Sequence, residues 1–148
     1  MRKSLLLALA LIAPALAGPA SAAEFEVKML DKGEKGVMVF EPALVKVAPG
    51  DKVTFVPTHK GHNAESIAGM FPAGTVPAVG KMNEAVTITF DKPGVYGFKC
   101  KPHYGMGMVA LVVVGKPENE AEARAVTHPG KAKKVFAELF DTVSIASK

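Results

Sequence analysis

The sequence predicts an all-β domain, a sandwich of about seven or eight short strands, with two helices closing its C-terminal end. Three observations predict it. Short stretches that alternate apolar and polar side chains recur between Phe25 and Phe90, and a period of two belongs to strands with one buried face. Turn residues punctuate them, as at Pro49-Gly50-Asp51 and Asp91-Lys92-Pro93-Gly94, leaving no room for long helices between them. Only after Pro117 does the composition shift to helix-forming residues.

In chain order, Met1-Arg2-Lys3 is positive and leads into an apolar run from Ser4 to Ala13 that is too short to cross a bilayer. With the small residues Ala20-Ser21-Ala22 behind it, this reads as a cleaved signal peptide over residues 1–22. A single soluble domain, residues 23–148, is expected in the periplasm, without membrane insertion. Phe25 to Leu30 forms a first strand and Asp31 to Gly36 a polar turn. Val37 to Phe40, Ala43 to Val47 and Lys52 to Val56 follow as strands. Their spacing argues for antiparallel pairing. Residues 63–83, interrupted by Gly69, Gly74 and Gly80, read as a long irregular connection with a turn of helix near Ala64 to Ala68; connections this long in small domains tend to be functional.

Ala85 to Phe90 resumes strict alternation. In Val95 to Cys100 the same period puts Tyr96, Phe98 and Cys100 on one face and Lys99 on the other. Met108 to Val114 is apolar enough for a fully buried strand. Glu118 to Val126 reads as a helix, Gly130 breaks it, and Lys131 to Phe140 puts Val135, Phe136, Leu139 and Phe140 on one face. That face should pack on the sandwich, giving a helical tail at about 118–142.

The formal charge is +4 and is halved when Arg2 and Lys3 leave with the leader. A sum this small gives no case for nucleic acid. Cys100 is the one cysteine. In an oxidising compartment it must be buried, ligated or both, because an exposed lone thiol oxidises or cross-links.

The loop Cys100-Lys101-Pro102-His103-Tyr104-Gly105-Met106-Gly107-Met108 brings a thiolate, an imidazole and two thioethers within nine residues. Pro102 keeps Lys101 extended, and Gly105 and Gly107 let the chain fold back. Thiolate and thioether donors with imidazole select copper over hard cations, and two histidines, one cysteine and a weak axial methionine make a blue-copper site. Spacing leaves the second histidine open among His59, His62 and His128, and the axial sulfur open between Met106 and Met108. Beside Pro129-Gly130, His128 reads as a solvated turn histidine.

Gly61-His62-Asn63 followed by Cys100-x2-His103-x4-Met108 resembles the small blue-copper cupredoxins, the pseudoazurins in particular, over the whole chain after the leader. The resemblance implies a Greek-key cupredoxin sandwich with His62, Cys100, His103 and Met108 as ligands of one copper ion. Met106 is then an exposed apolar contact. It also implies two C-terminal helices, where plastocyanins end at the last strand, and redox partners such as nitrite reductase, nitrous oxide reductase or a c-type cytochrome.

Four protein ligands leave no position for a substrate, so the expectation is a monomeric electron carrier and not an enzyme. Asn63 is placed to hydrogen-bond across to the Cys100 loop. Lys60, Lys81, Lys99 and Lys101 are expected to ring the site against an acidic partner, since no acid lies between Lys92 and Glu118. The alternative is a periplasmic copper-handling carrier or a Cys/His zinc site without a redox role. A fragment of a multicopper enzyme fits poorly, because one ligand set is present.

Overall fold

The computed structural model describes residues 21–145. The leader read at residues 1–22 therefore lies almost wholly outside the described residues. Eight strands form two four-stranded sheets: β1 (Glu24–Gly33), β2 (Gly36–Glu41), β4 (Lys52–Pro57) and β6 (Val86–Thr89) in one, β3 (Leu44–Val47), β5 (Glu65–Ser66), β7 (Gly94–Lys99) and β8 (Val109–Val114) in the other. The spatial orders are β2-β1-β4-β6 and β3-β8-β7-β5.

Two pairings differ from the antiparallel expectation. β1 runs parallel to β4, and β3 runs parallel to β8. Parallel neighbours need a crossover, and here the crossover is the opposite sheet: the chain leaves β2, joins the second sheet as β3, and returns as β4. Alternation reports which face is buried but is silent about direction.

The two sheets close on Val27 and Met29 of β1, Phe55 of β4, Phe98 of β7 and Val112 of β8, all essentially inaccessible to solvent. Phe55 meets Phe40 edge-on at 5.5 Å and Phe98 at 4.8 Å between ring centroids. These are separations at which aromatic pairs add about 0.5–1.5 kcal/mol beyond their burial.

β7 and β8 are buried on both faces. For β8 that is the sequence reading; for β7 it replaces the one-face burial that alternation implied. The outer faces, carrying Val95, Leu111 and Val113, pack on Met70 and on the tail residues Phe136, Phe140 and Val143. Gly97 is where Met70 comes down on β7, and a Cβ there would lie 2.6 Å from its sulfur.

The tail forms two helices, α1 (Glu120–Arg124) and α2 (Ala132–Ile145). Phe136, Leu139 and Phe140 are buried as the helical period indicated, with Val135 partly so. Burying a phenylalanine contributes about 1.5–3 kcal/mol. Asn119 fastens the tail to β7: its Oδ1 accepts the Val95 N–H at 2.7 Å and its Nδ2 donates to the Val95 carbonyl at 2.9 Å. Arg124 then locks α1 to α2, stacking 4.6 Å from the Phe140 ring centroid and donating to the Phe140 carbonyl at 2.9 Å.

Two local expectations are corrected. The helical turn near Ala64 to Ala68 is instead the short strand β5, because the open edge of β7 offers backbone partners that one turn of helix cannot match. Asp31, read as part of a turn, lies within β1, which continues through Gly33.

Candidate metal centre

Cys100 follows β7 directly and is wholly buried. Its N–H donates to the Met108 carbonyl at 3.0 Å, and the Met108 N–H donates to the His103 carbonyl at 3.2 Å, so the loop closes on itself before β8 begins. Between them Lys101–Met106 winds as 3-10 helix with proline in its first turn. Gly107 ends it at φ 93, a conformation that favours glycine, and a Cβ there would crowd Val135 at 3.1 Å. The helical tail thus supports the loop from beneath. From the same tail, the Lys131 N–H donates to the Gly105 carbonyl at 2.9 Å.

His62 comes from the connection after β4 and is inaccessible to solvent. Asn83 shapes that connection, accepting the Gly61 N–H on its side chain at 2.6 Å and donating its own N–H to the His62 carbonyl at 2.8 Å. Asn63 links the His62 loop to the Cys100 loop as expected: its Oδ1 accepts the Lys101 N–H at 2.8 Å, while its Nδ2 donates to the Gly80 carbonyl at 3.0 Å.

Both imidazoles aim Nδ1 at the thiol. Cys100 Sγ lies 3.7 Å from His62 Nδ1 and 3.5 Å from His103 Nδ1, and the two Nδ1 atoms are 3.2 Å apart. Nitrogen and sulfur ligands about 2.0–2.3 Å from one ion, at angles near 110–120°, stand roughly 3.2–3.8 Å from one another. The three donors therefore fit a single first-row metal ion. Met108 is wholly buried in the same cluster as Cys100, and Met106 is 45% exposed.

The protonation states suit the same reading. Burial pushes the Cys100 thiol up, while backbone N–H groups of Asn63 and His103 pull it back down. Burial lowers His103, and the neighbouring His62 lowers it further against an opposing pull from Asp31. A neutral imidazole offers a lone pair, and a metal displaces the thiol proton.

The other two histidines lie outside this cluster. His59 is half-exposed and its Nδ1 accepts the Asp31 N–H at 2.9 Å. His128 is not the solvated turn residue its flanking Pro129-Gly130 indicated. Its Nδ1 hydrogen-bonds the Tyr104 hydroxyl at 2.7 Å, its ring lies 4.3 Å from that of Phe136, and burial lowers its pKa.

The sequence reading gave Asp31 a place in a turn and no part in the site. Its Oδ1 lies 2.9 Å from His62 Nε2, on the side of the ring away from the thiol. The parallel register of β1 and β4, which sets Met29 opposite Pro57, brings the two together, and local sequence carries no signal of it. Acids also reach the lysines near the site. Lys99 pairs with Glu65 at 3.4 Å and sits 5.1 Å over the Tyr104 ring, and Lys81 is 4.0 Å from Glu84. The surroundings are thus of mixed sign, unlike the stretch from Lys92 to Glu118 taken alone. Lys60 and Lys101 are exposed, as are Pro102, Gly105 and Met106 beside His103.

A family model described as copper binding proteins, plastocyanin/azurin family, matches residues 27–115. Pseudoazurin of Paracoccus pantotrophus is 53% identical over 127 residues, covering 84% of this chain and 88% of the relative. Pseudoazurin of Methylorubrum extorquens is 51% identical over 138 residues, covering 91% and 93%. The crystal structure of pseudoazurin from Methylobacterium extorquens AM1 superposes with a TM-score of 0.79 at 50% identity, over 81% of this chain and 98% of that one. That from Hyphomicrobium denitrificans gives 0.78 at 45% identity, over 80% and 97%.

Proposed function

The chain belongs to the plastocyanin/azurin family of copper-binding proteins, and on that footing we propose that it is a periplasmic one-electron carrier whose copper ion is held by His62, Cys100, His103 and Met108. One observation carries the reading: Cys100 Sγ and the Nδ1 atoms of His62 and His103 converge within 4.8 Å of one another in a pocket built from two loops. Copper, when bound, supplies a one-electron Cu(I)/Cu(II) couple. The protein supplies constancy. Cys100 and Met108 are tied to packed strands, Asn63 staples their loop to that of His62, and the helical tail braces it from below, so the donors move little on a change of oxidation state.

Met108 as a weak fourth donor leaves no position for a substrate, which favours a carrier over an enzyme. His103, partly exposed among Pro102, Gly105 and Met106, is the electron's way out through an apolar patch. Nitrite reductase, nitrous oxide reductase and c-type cytochromes are the partner candidates that resemblance to pseudoazurins offers. Lys60 and Lys101, exposed and without an acidic residue paired to them among the described residues, steer an acidic partner, and the mature chain acts as a monomer. No helix of the described residues is long and apolar enough to cross a membrane. The periplasmic location rests on the leader sequence.

Reconstitution with one equivalent of copper, followed by optical redox titration, tests the proposal. A reversible one-electron transition supports it. Copper that cannot be cycled, or that passes readily to a chelator, would favour a copper-handling carrier, and preferential retention of zinc would favour a zinc site.

A further inference from the structure

His62 is inaccessible to solvent, and its two ring nitrogens face different groups: Nδ1 faces Cys100 and His103, while Nε2 lies 2.9 Å from Asp31 Oδ1. For Nδ1 to offer a lone pair, the ring proton must sit on Nε2. A carboxylate, which only accepts, stabilises that tautomer and no other neutral one. Asp31 is itself set from two sides. It lies in β1, and its backbone N–H is held by His59 Nδ1 at 2.9 Å, while the His59 N–H donates to the Met29 carbonyl at 3.2 Å. His59 thus braces the acid that braces His62. Among the described residues, His103 Nε2 has no carboxylate partner.

We infer that Asp31 is a positioning residue for the metal: its carboxylate holds the Nε2–H of His62, and its negative charge behind the ring favours the oxidised over the reduced ion. The inference deepens the proposed copper site and rests on His62 being a ligand. A carboxylate on a ligating imidazole raises the basicity of the ring and fixes its orientation. Fixed negative charge favours the more positive of two oxidation states. Because the Asp31 side chain is 54% exposed, salt screens the charge but leaves the hydrogen bond in place.

Asp31→Asn and Asp31→Ala separate the two roles. The amide keeps an acceptor and discards the charge; alanine discards both. In copper-loaded Asp31→Asn the midpoint potential should shift upward with the visible spectrum unchanged, and the gap from wild type should narrow as salt is added. Asp31→Ala should bind copper about 10–100-fold more weakly. In its reduced form the His62 Nε2–H, followed by 1H–15N NMR, should exchange faster with solvent than in wild type. An Asp31→Asn protein at the wild-type potential in low salt would overturn the charge role. Unchanged Nε2–H exchange in Asp31→Ala would overturn the positioning role. A wild type that takes up no copper would overturn the ligand set beneath both, an outcome distinct from a copper-loaded wild type whose Asp31 variants match it.

Discussion

Asn63 Oδ1 accepts the backbone N–H of Lys101 at 2.8 Å, joining the residue after His62 to the residue after Cys100. Its Nδ2 is used as well, on the Gly80 carbonyl at 3.0 Å, and the side chain is nearly inaccessible. Substituting Asn63→Leu leaves two backbone groups without partners, each costing about 1–3 kcal/mol when buried. The urea midpoint of the metal-free protein should fall accordingly. If Asn63→Leu unfolded with wild type, the staple would contribute nothing.

The donor set makes graded demands. Met108→Gln should keep copper and lower its potential, because a weak thioether donor would tune the ion and not anchor it. His59→Ala should retain a full equivalent of copper by elemental analysis, since its Nδ1 is engaged with the Asp31 N–H. Copper lost from His59→Ala but kept in His62→Ala would exchange the two assignments.

His128 should make stability depend on pH. Burial lowers its pKa below the usual histidine value of about 6.5, so the unfolded chain protonates first as pH falls. The contribution is therefore complete above about 6.5 and is lost as pH drops from there through the lowered folded value. Protonation of Nδ1 would also set a donor against the Tyr104 hydroxyl, which would then have to turn to accept. His128→Gln should lose less stability than wild type between about pH 7.5 and about pH 5, measured by urea unfolding. Equal losses would assign the pH dependence to other groups.

Lysines near the site should differ in what they do. Lys60→Glu and Lys101→Glu should slow electron exchange with an acidic redox protein in stopped flow, with a rate that falls as salt shortens the Debye length to about 10 Å near 0.1 M. Lys28→Glu, exposed on β1, should matter less. Lys99→Glu should instead lower stability, because it places two acids together at Glu65. A rate indifferent to salt would remove the steering role.

The loop that brings Cys100 beside His103 was legible because these residues and Met108 are close in sequence, and Pro102 and Gly107 mark how the chain returns. The buried faces of β8 and α2 were legible for a similar reason: period alone reports which side is covered. What stayed hidden joins residues far apart. Asp31 meets His62, Tyr104 meets His128, and Glu65 meets Lys99 through sheet register and tail packing, which local pattern does not encode. The two parallel pairings were hidden likewise, since strand direction leaves no mark on alternation.

The visible spectrum of the copper-loaded, oxidised protein bears most directly on the site, read beside that of Cys100→Ala. A thiolate bound to Cu(II) absorbs intensely in the visible, so wild type should be deep blue and Cys100→Ala colourless at equal copper content. A colourless wild type with copper bound, or a Cys100→Ala protein that stays blue, would contradict the assignment of Cys100 as the thiolate ligand.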